Sequence, residues 1–301
     1  MSALGRGVVE TIRNAAVAGQ FYPGNEKSLK QQIEECFLDK RGIGMIPSLK
    51  KVGHNLKGLV VPHAGFVYSG AIASHAYGRL TEQGSADSFI ILGPNHTGIG
   101  SGVSVMTEGG WKTPFGTAPI DSSLAQTIST GIIDQDASAH TYEHSIEVQL
   151  PFLQYIARGR KFEFVPVCMM MQDYETVQEV GAILANAIQK SKKNIVIIAS
   201  SDFSHAGFNY QSMPPKGMRV DNYAEKQDTL AIEKILSLDP KGLIQTVEEH
   251  SITMCGYGPI AVMLFAVKKL GATKAELLKY GTSYEVHPGF SCVGYGAIAV
   301  A

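Results

Sequence analysis

An α/β fold, with a mixed, mainly parallel sheet sandwiched by helices, is what the 301-residue sequence predicts, on three observations. Short β-branched runs alternate with helical patterns along the chain, as they do when strands of one sheet are joined through helices. Runs such as "NIVIIA" and "SFIIL" are apolar without interruption, which suits strands covered on both faces. No repeat of fixed period, low-complexity tract or linker-like composition shift divides the chain, so residues 1–301 read as one domain, with 1–15 a flexible start.

In chain order, "EKSLKQQIEECFLDK" predicts a helix from Glu26 to Asp39, with Leu29, Ile33, Cys36 and Phe37 on its apolar face. A strand from Gly58 to Val61 and a helix from Ala71 to Leu80 follow, then strands Ser88 to Leu92 and Gly102 to Met106. Helices are expected over Ser122 to Thr130 and His144 to Ala157, and a strand over Phe162 to Cys168. Tyr174 to Lys190 reads as a helix and Asn194 to Ala199 as a strand. Helical patterns then cover Asn222 to Leu236, Pro240 to Glu249 and Pro259 to Leu270, the last two opened by prolines suited to a first turn. Strands Glu276 to Gly281 and Val293 to Val300 close the chain; the last strand and "GVSVM" read as more exposed or antiparallel. "NYQSMPPKGMRVDN" is the expected flexible excursion.

Composition excludes several functions. A formal net charge of −1 offers no basic surface for neutralising nucleic-acid phosphates. The longest apolar run, Ile260 to Val267, is too short to span a bilayer, and the N-terminal stretch has no secretory pattern. Four scattered cysteines, Cys36, Cys168, Cys255 and Cys292, include no C-x-x-C pair and suit a reducing, cytoplasmic setting. "GPNHTGIGSG" lacks the G-K-[ST] ending of a phosphate-binding loop, and no G-x-S-x-G supports a serine hydrolase.

Chemistry gathers at strand ends. "GLVVPHAG" puts His63 just beyond a strand, "FIILGPNHTG" does the same with His96, and "IVIIASSDFSHAG" with Asp202 and His205. In open α/β sheets, loops at the carboxyl ends of parallel strands line the ligand crevice, so these loops predict one site. "TMCGYGP" adds Cys255 at the start of a helix, where free N–H groups and the dipole favour a thiolate. Two imidazoles and a thiolate suit iron(II), copper or zinc. Asp202 and His205 read equally as a fourth ligand, an orienting group or an acid–base pair. Glu143, His144 and Glu147 fall at a helix start, as caps or as pocket wall. His54, His75, His140, His250 and His287 read as surface or capping residues.

The motifs "VAGQFYPG", "VPHAGFVYSG", "LGPNHTG", "EHSIEVQLPFL", "SSDFSHAG" and "MCGYGPI" resemble, in the same order, those of the Memo family, from about Ala16 to the C-terminus. The resemblance implies the fold of class III extradiol dioxygenases and metal-binding positions at His63, His96 and Cys255, with Asp202 and His205 beside them. It also implies a redox-linked protein and an association of prokaryotic members with radical-SAM proteins; for the His/His/Cys set the expected ion is iron or copper, with zinc less favoured. Ala206 stands where family members often have a bulky aromatic, and Tyr257 and Gly258 where animal members carry a basic or imidazole pair. The leading expectation is a metal-dependent redox protein in which Asp202 and His205 handle protons, without catechol cleavage because a cysteine stands in the carboxylate position. The alternatives are a module binding a small molecule or peptide in the same pocket, and a metal-assisted hydrolase.

Overall fold

The computed structural model describes residues 11–50, 55–84 and 86–301. In chain order the elements begin with β1 (Ile12–Arg13), α1 (Glu26–Leu38), β2 (Gly58–Val61), α2 (Phe66–Glu82), β3 (Ser88–Pro94) and β4 (Val103–Val105). They continue with β5 (Gly110–Thr113), β6 (Gly116–Pro119), α3 (Ser122–Ile128), β7 (Asp134–Gln135), α4 (Leu150–Ala157), β8 (Glu163–Met169) and α5 (Tyr174–Lys190). The last third holds β9 (Ile195–Ser200), β10 (His205–Gly207), α6 (Val220–Leu236), α7 (Pro240–Glu249), α8 (Tyr257–Lys269), β11 (Ala275–Thr282) and β12 (Ser291–Val300).

The mixed sheet runs β10-β12-β2-β9-β3-β8-β4-β7, with β11 also paired to β12. Its centre, β2-β9-β3-β8, is parallel throughout, while β4, β10, β11 and β12 join antiparallel. Every residue of β2 and β3 is buried, as the unbroken apolar runs require. Helices start where the sequence supplies caps: Asn25 accepts from Ser28 N for α1, Asp173 from Thr176 N for α5 and Asp239 from Gly242 N for α7. Among the described residues, no helix is long and apolar enough to cross a membrane.

The structure departs from the sequence reading in three places. The helix expected from His144 begins only at Leu150, after a 3-10 turn at Glu147–Gln149. Pro151 brings no N–H and fits a first turn, while the amides of His144 and Ser145 are already taken by the Glu143 side chain. A separate sheet, β1-β5-β6, forms over "GGWKTPFGTAP", whose glycines and prolines mask a hairpin seated on the fully buried Trp111. Residues 11–15 fall partly in that sheet, where Ile12 and Arg13 pair in parallel with Gly110 and Trp111.

Candidate metal centre

The carboxyl ends of β2, β3 and β9 lie together, as parallel neighbours must, and the first turn of α8 closes on them. Donor atoms of His63, His96 and Cys255 lie within 4.8 Å of one another. His63 Nε2 is 3.2 Å from Cys255 Sγ, and the His63 and His96 rings meet edge to face at 5.2 Å between centroids.

Hydrogen bonds decide which nitrogen of His63 is free. Ser200 Oγ donates its proton to Ser145 O at 2.6 Å and accepts from Gln149 Nε2 at 2.8 Å. The 3.0 Å contact between Ser200 Oγ and His63 Nδ1 therefore carries the imidazole proton, and Nε2 is left as a lone pair facing the sulfur. Tyr77 holds Gln149 in place through a 2.6 Å bond from its hydroxyl to Oε1. Burial first, then the neighbouring His144 and His96, push His63 well below the ordinary imidazole range, so it is neutral. A neutral imidazole with an open Nε2 is a metal donor.

On the other side of the centre, the Glu143 carboxylate faces His96 Nδ1 at 3.0 Å and accepts from the His96 amide at 2.6 Å. His144 stacks on His96 at 4.6 Å between centroids.

Cys255 precedes Gly256, the cap residue of α8. Its carbonyl accepts from Gln172 Nε2 at 3.0 Å, and Gln172 Oε1 accepts from Gly258 N at 2.8 Å, so one amide clamps the turn that carries the thiol. A Cβ on Gly258 would stand 2.6 Å from Gln172 Cβ, and one on Gly256 2.7 Å from Ser200 O; neither site admits a side chain. The expected ready thiolate is corrected here. Burial and then the Asp202 carboxylate push the Cys255 thiol well above its ordinary value, against the pull of the helix terminus. A cation between the sulfur and the two imidazoles would reverse that balance, since a coordinating thiol loses its proton. The donors thus fit a borderline or soft ion.

Asp202 does not bond to His205, contrary to what their adjacency in sequence suggests. Asp202 Oδ1 accepts from the amides of His63 and Ala64, at 2.8 and 3.2 Å, and so fixes the loop that bears His63. His205 donates from Nδ1 toward the carbonyls of Phe203 and Thr253, both at 3.0 Å, which leaves its Nε2 free. Burial raises the Asp202 carboxyl above the usual carboxylate range. Both side chains line a cavity of about 470 Å³ that His63, His96, His144, Tyr68 and Tyr210 also border.

A family model described as Memo-like protein matches residues 13–299. The chain belongs to the Memo family. A MEMO1 family protein of Methanopyrus kandleri is 46% identical over 289 residues, covering 95% of this chain and 98% of its own. One from Methanosarcina barkeri is 46% identical over 290 residues, covering 96% and 100%. An uncharacterized protein from Escherichia coli K12 shares the fold, with a TM-score of 0.55 at 12% identity, over 82% of this chain and all of the other. The α/β architecture is in keeping with the extradiol-dioxygenase-like fold expected of Memo proteins.

Other Memo motif residues take roles the sequence left open. Glu147 does not reach the cavity: it pairs with Arg13 at 2.6 Å and accepts from Ala16 N, Val17 N and Tyr22 Oη. That network ties "VAGQFYPG" to "EHSIEVQL". His287 is exposed as expected, yet borders the cavity. His75 is half-buried, its ring bonded to Arg41 O; His250 caps α7, and His54 lies outside the described residues. His140, read as a surface or capping residue, is fully buried edge-on to Trp111 at 5.5 Å. A loop histidine between "DASA" and "TY" carries no pattern that announces this.

Burial, then the Arg13 charge, push His140 down to about 3, and burial pushes His144 down to about 4, both from an ordinary 6.5. Below pH 6.5 the unfolded chain binds these protons before the folded one does, so their contribution is complete above pH 6.5 and is lost as pH falls toward 4. Asp228, held up to about 6 by burial, has the opposite sign between 3.8 and 6. His140→Phe removes no hydrogen bond, since neither ring nitrogen has a partner among the described residues. Urea titrations of this variant should show a stability slope shallower by up to about 1.4 kcal/mol per pH unit between about pH 5.5 and 4. An unchanged slope would contradict the assignment.

Proposed function

We propose that this Memo protein is a metal-dependent redox protein that holds one iron or copper ion through His63, His96 and Cys255. The observation that carries the reading is the convergence of two imidazoles and a sulfur within 4.8 Å. Such a donor set suits ions that change oxidation state, and the sulfur donates more charge than a carboxylate would. Zinc would be held by the same atoms but would bring no redox chemistry. The cavity beside the centre leaves room for a small molecule, and in this reading His205 and Asp202, which line it, move protons to and from that molecule. Catechol cleavage is not expected, because both glutamates near the centre are engaged elsewhere: Glu143 by His96 and amides, Glu147 by Arg13. Four unpaired cysteines, three of them buried, suit a reducing, cytoplasmic setting.

The test is a redox cycle. Protein loaded with one equivalent of copper should be reduced by ascorbate and reoxidised by air repeatedly, with the ion retained and the electron paramagnetic resonance signal restored. Asp202→Asn should keep the ion and slow the cycle. With iron(II), oxygen and protocatechuate, no sustained yellow ring-opened product should form. An ion that never changes oxidation state, or multiple turnover of catechol that disappears in His63→Ala, would overturn the reading.

A further inference from the structure

The two imidazoles of the centre are held in different ways. His63 is 2% exposed, and packing together with Ser200 fixes its ring. The His96 side chain is 34% exposed and stands on a loop whose backbone is set by its own turn. There Asn95 Oδ1 accepts from Thr97 N, Thr97 Oγ1 and Gly98 N, and Asn95 Nδ2 donates to Ile99 O. None of those bonds touches the His96 ring. Apart from the stacked His144, its polar partner is one carboxylate, that of Glu143.

Glu143 is fully buried, and its carboxylate has no Lys or Arg partner among the described residues. Its Oε1 takes His96 Nδ1 at 3.0 Å and the amides of His144 and Ser145 at 2.8 Å each; Oε2 takes the His96 amide at 2.6 Å. Four N–H groups surround it, and Ser145 Oγ anchors the same turn to Pro94 O at 2.9 Å, at the end of the strand that leads into His96. Three backbone amides donate to its two oxygens, an arrangement that favours the ionised carboxylate. An ionised carboxylate only accepts, so the proton between it and the ring sits on His96 Nδ1.

We infer that Glu143 is a positioning residue of the metal centre: its carboxylate fixes the partly exposed His96 ring and keeps the ring proton on Nδ1, so that Nε2 is the free donor beside His63 and Cys255. In water a free imidazole prefers its proton on Nε2, the atom the ion needs bare. Ser200 performs the same service for His63 from inside the core, and Glu143 does it at the rim, where packing cannot. The inference rests on the proposed His/His/Cys centre, but the proton position it asserts exists without metal.

That separation sets the experiment. Long-range nitrogen–proton correlation spectra of histidine-labelled, metal-free protein at pH 8 read each tautomer directly, with signals assigned from single His→Gln variants. Both His63 and His96 should carry their proton on Nδ1. In Glu143→Gln the amide group must set an N–H against at least one of the four donors, so His96 should shift toward the Nε2–H form while His63 is unchanged. Copper(I) affinity, measured by competition with a chromophoric chelator, should fall about 10–100-fold, as is typical when a group behind a ligand is removed. His96 protonated on Nε2 in the wild-type protein would overturn the inference, whether or not the variant folds. So would a folded Glu143→Gln that keeps both the tautomer and wild-type affinity. Failure of the wild-type protein to bind copper would count against the proposed centre alone.

Discussion

Cys255→Ala, His63→Ala and His96→Ala are each expected to strip the protein of most of its one equivalent of iron or copper when it is prepared without oxygen or chelators. The donors are few: the other cluster of possible ligands, His96, Glu143 and His144, shares His96 and has its carboxylate engaged by N–H groups. Glu143 is engaged by four N–H groups, and Glu147 is locked to Arg13 and the N-terminal segment. Losing one of three protein donors therefore leaves two. Cys255→Ala should fold normally, because its Sγ makes only a 3.6 Å contact with Asp202 O besides the approach to His63, and the Gln172 clamp acts through the backbone carbonyl. Cys255→Ser should separate the metals, since a hydroxyl costs a soft ion such as copper(I) more than it costs iron(II). Metal content by elemental analysis alongside circular dichroism checks the set; full metal content in all three folded alanine variants would contradict the ligand assignment.

Glu147→Ala is expected to destabilise the protein by about 3–5 kcal/mol, the usual cost of stranding one partner of a buried ion pair. Arg13 and Glu147 are both buried, and Arg13 also donates to His140 O at 2.5 Å and Glu143 O at 2.6 Å while lying over Trp111 at 4.1 Å. Without the carboxylate, the guanidinium loses its counter-charge and the Ala16 amide, Val17 amide and Tyr22 hydroxyl lose their acceptor. Replacing the pair together, Arg13→Met with Glu147→Leu, should recover only part of the loss, because those donors stay orphaned. Urea denaturation measures both, and a single-variant loss under about 1 kcal/mol would mean the pair is not the anchor described.

The parts of the centre that the sequence reveals are those set by short-range pattern. His63, His96 and Asp202 each follow an apolar run, and parallel pairing then brings the strand ends together without further information. Cys255 was legible because glycines and a proline mark the helix start beside it. What stayed hidden depends on contacts between distant segments. Glu143 bonds to a ring 47 positions away, and no local pattern separates that from an ordinary helix cap. Arg13 meets Glu147 across 134 positions, from a stretch that looked like a loose end. The Trp111 hairpin was masked by the same glycines and prolines that let it turn. The Cys255 thiol was misread because the dipole argument counts the helix end and omits the desolvation and the carboxylate beside it.

The central claim is that sulfur and two imidazoles hold one ion, and X-ray absorption at the metal edge tests it most directly. Protein loaded with a single equivalent of copper(I) or iron(II) should show one sulfur scatterer, at about 2.3 Å by analogy with zinc–thiolate bonds, together with the multiple-scattering pattern of imidazole. The sulfur shell should vanish in Cys255→Ala, and the imidazole pattern should weaken in His63→Ala. A wild-type spectrum fitted by nitrogen and oxygen alone, unchanged by removal of Cys255, would contradict the account.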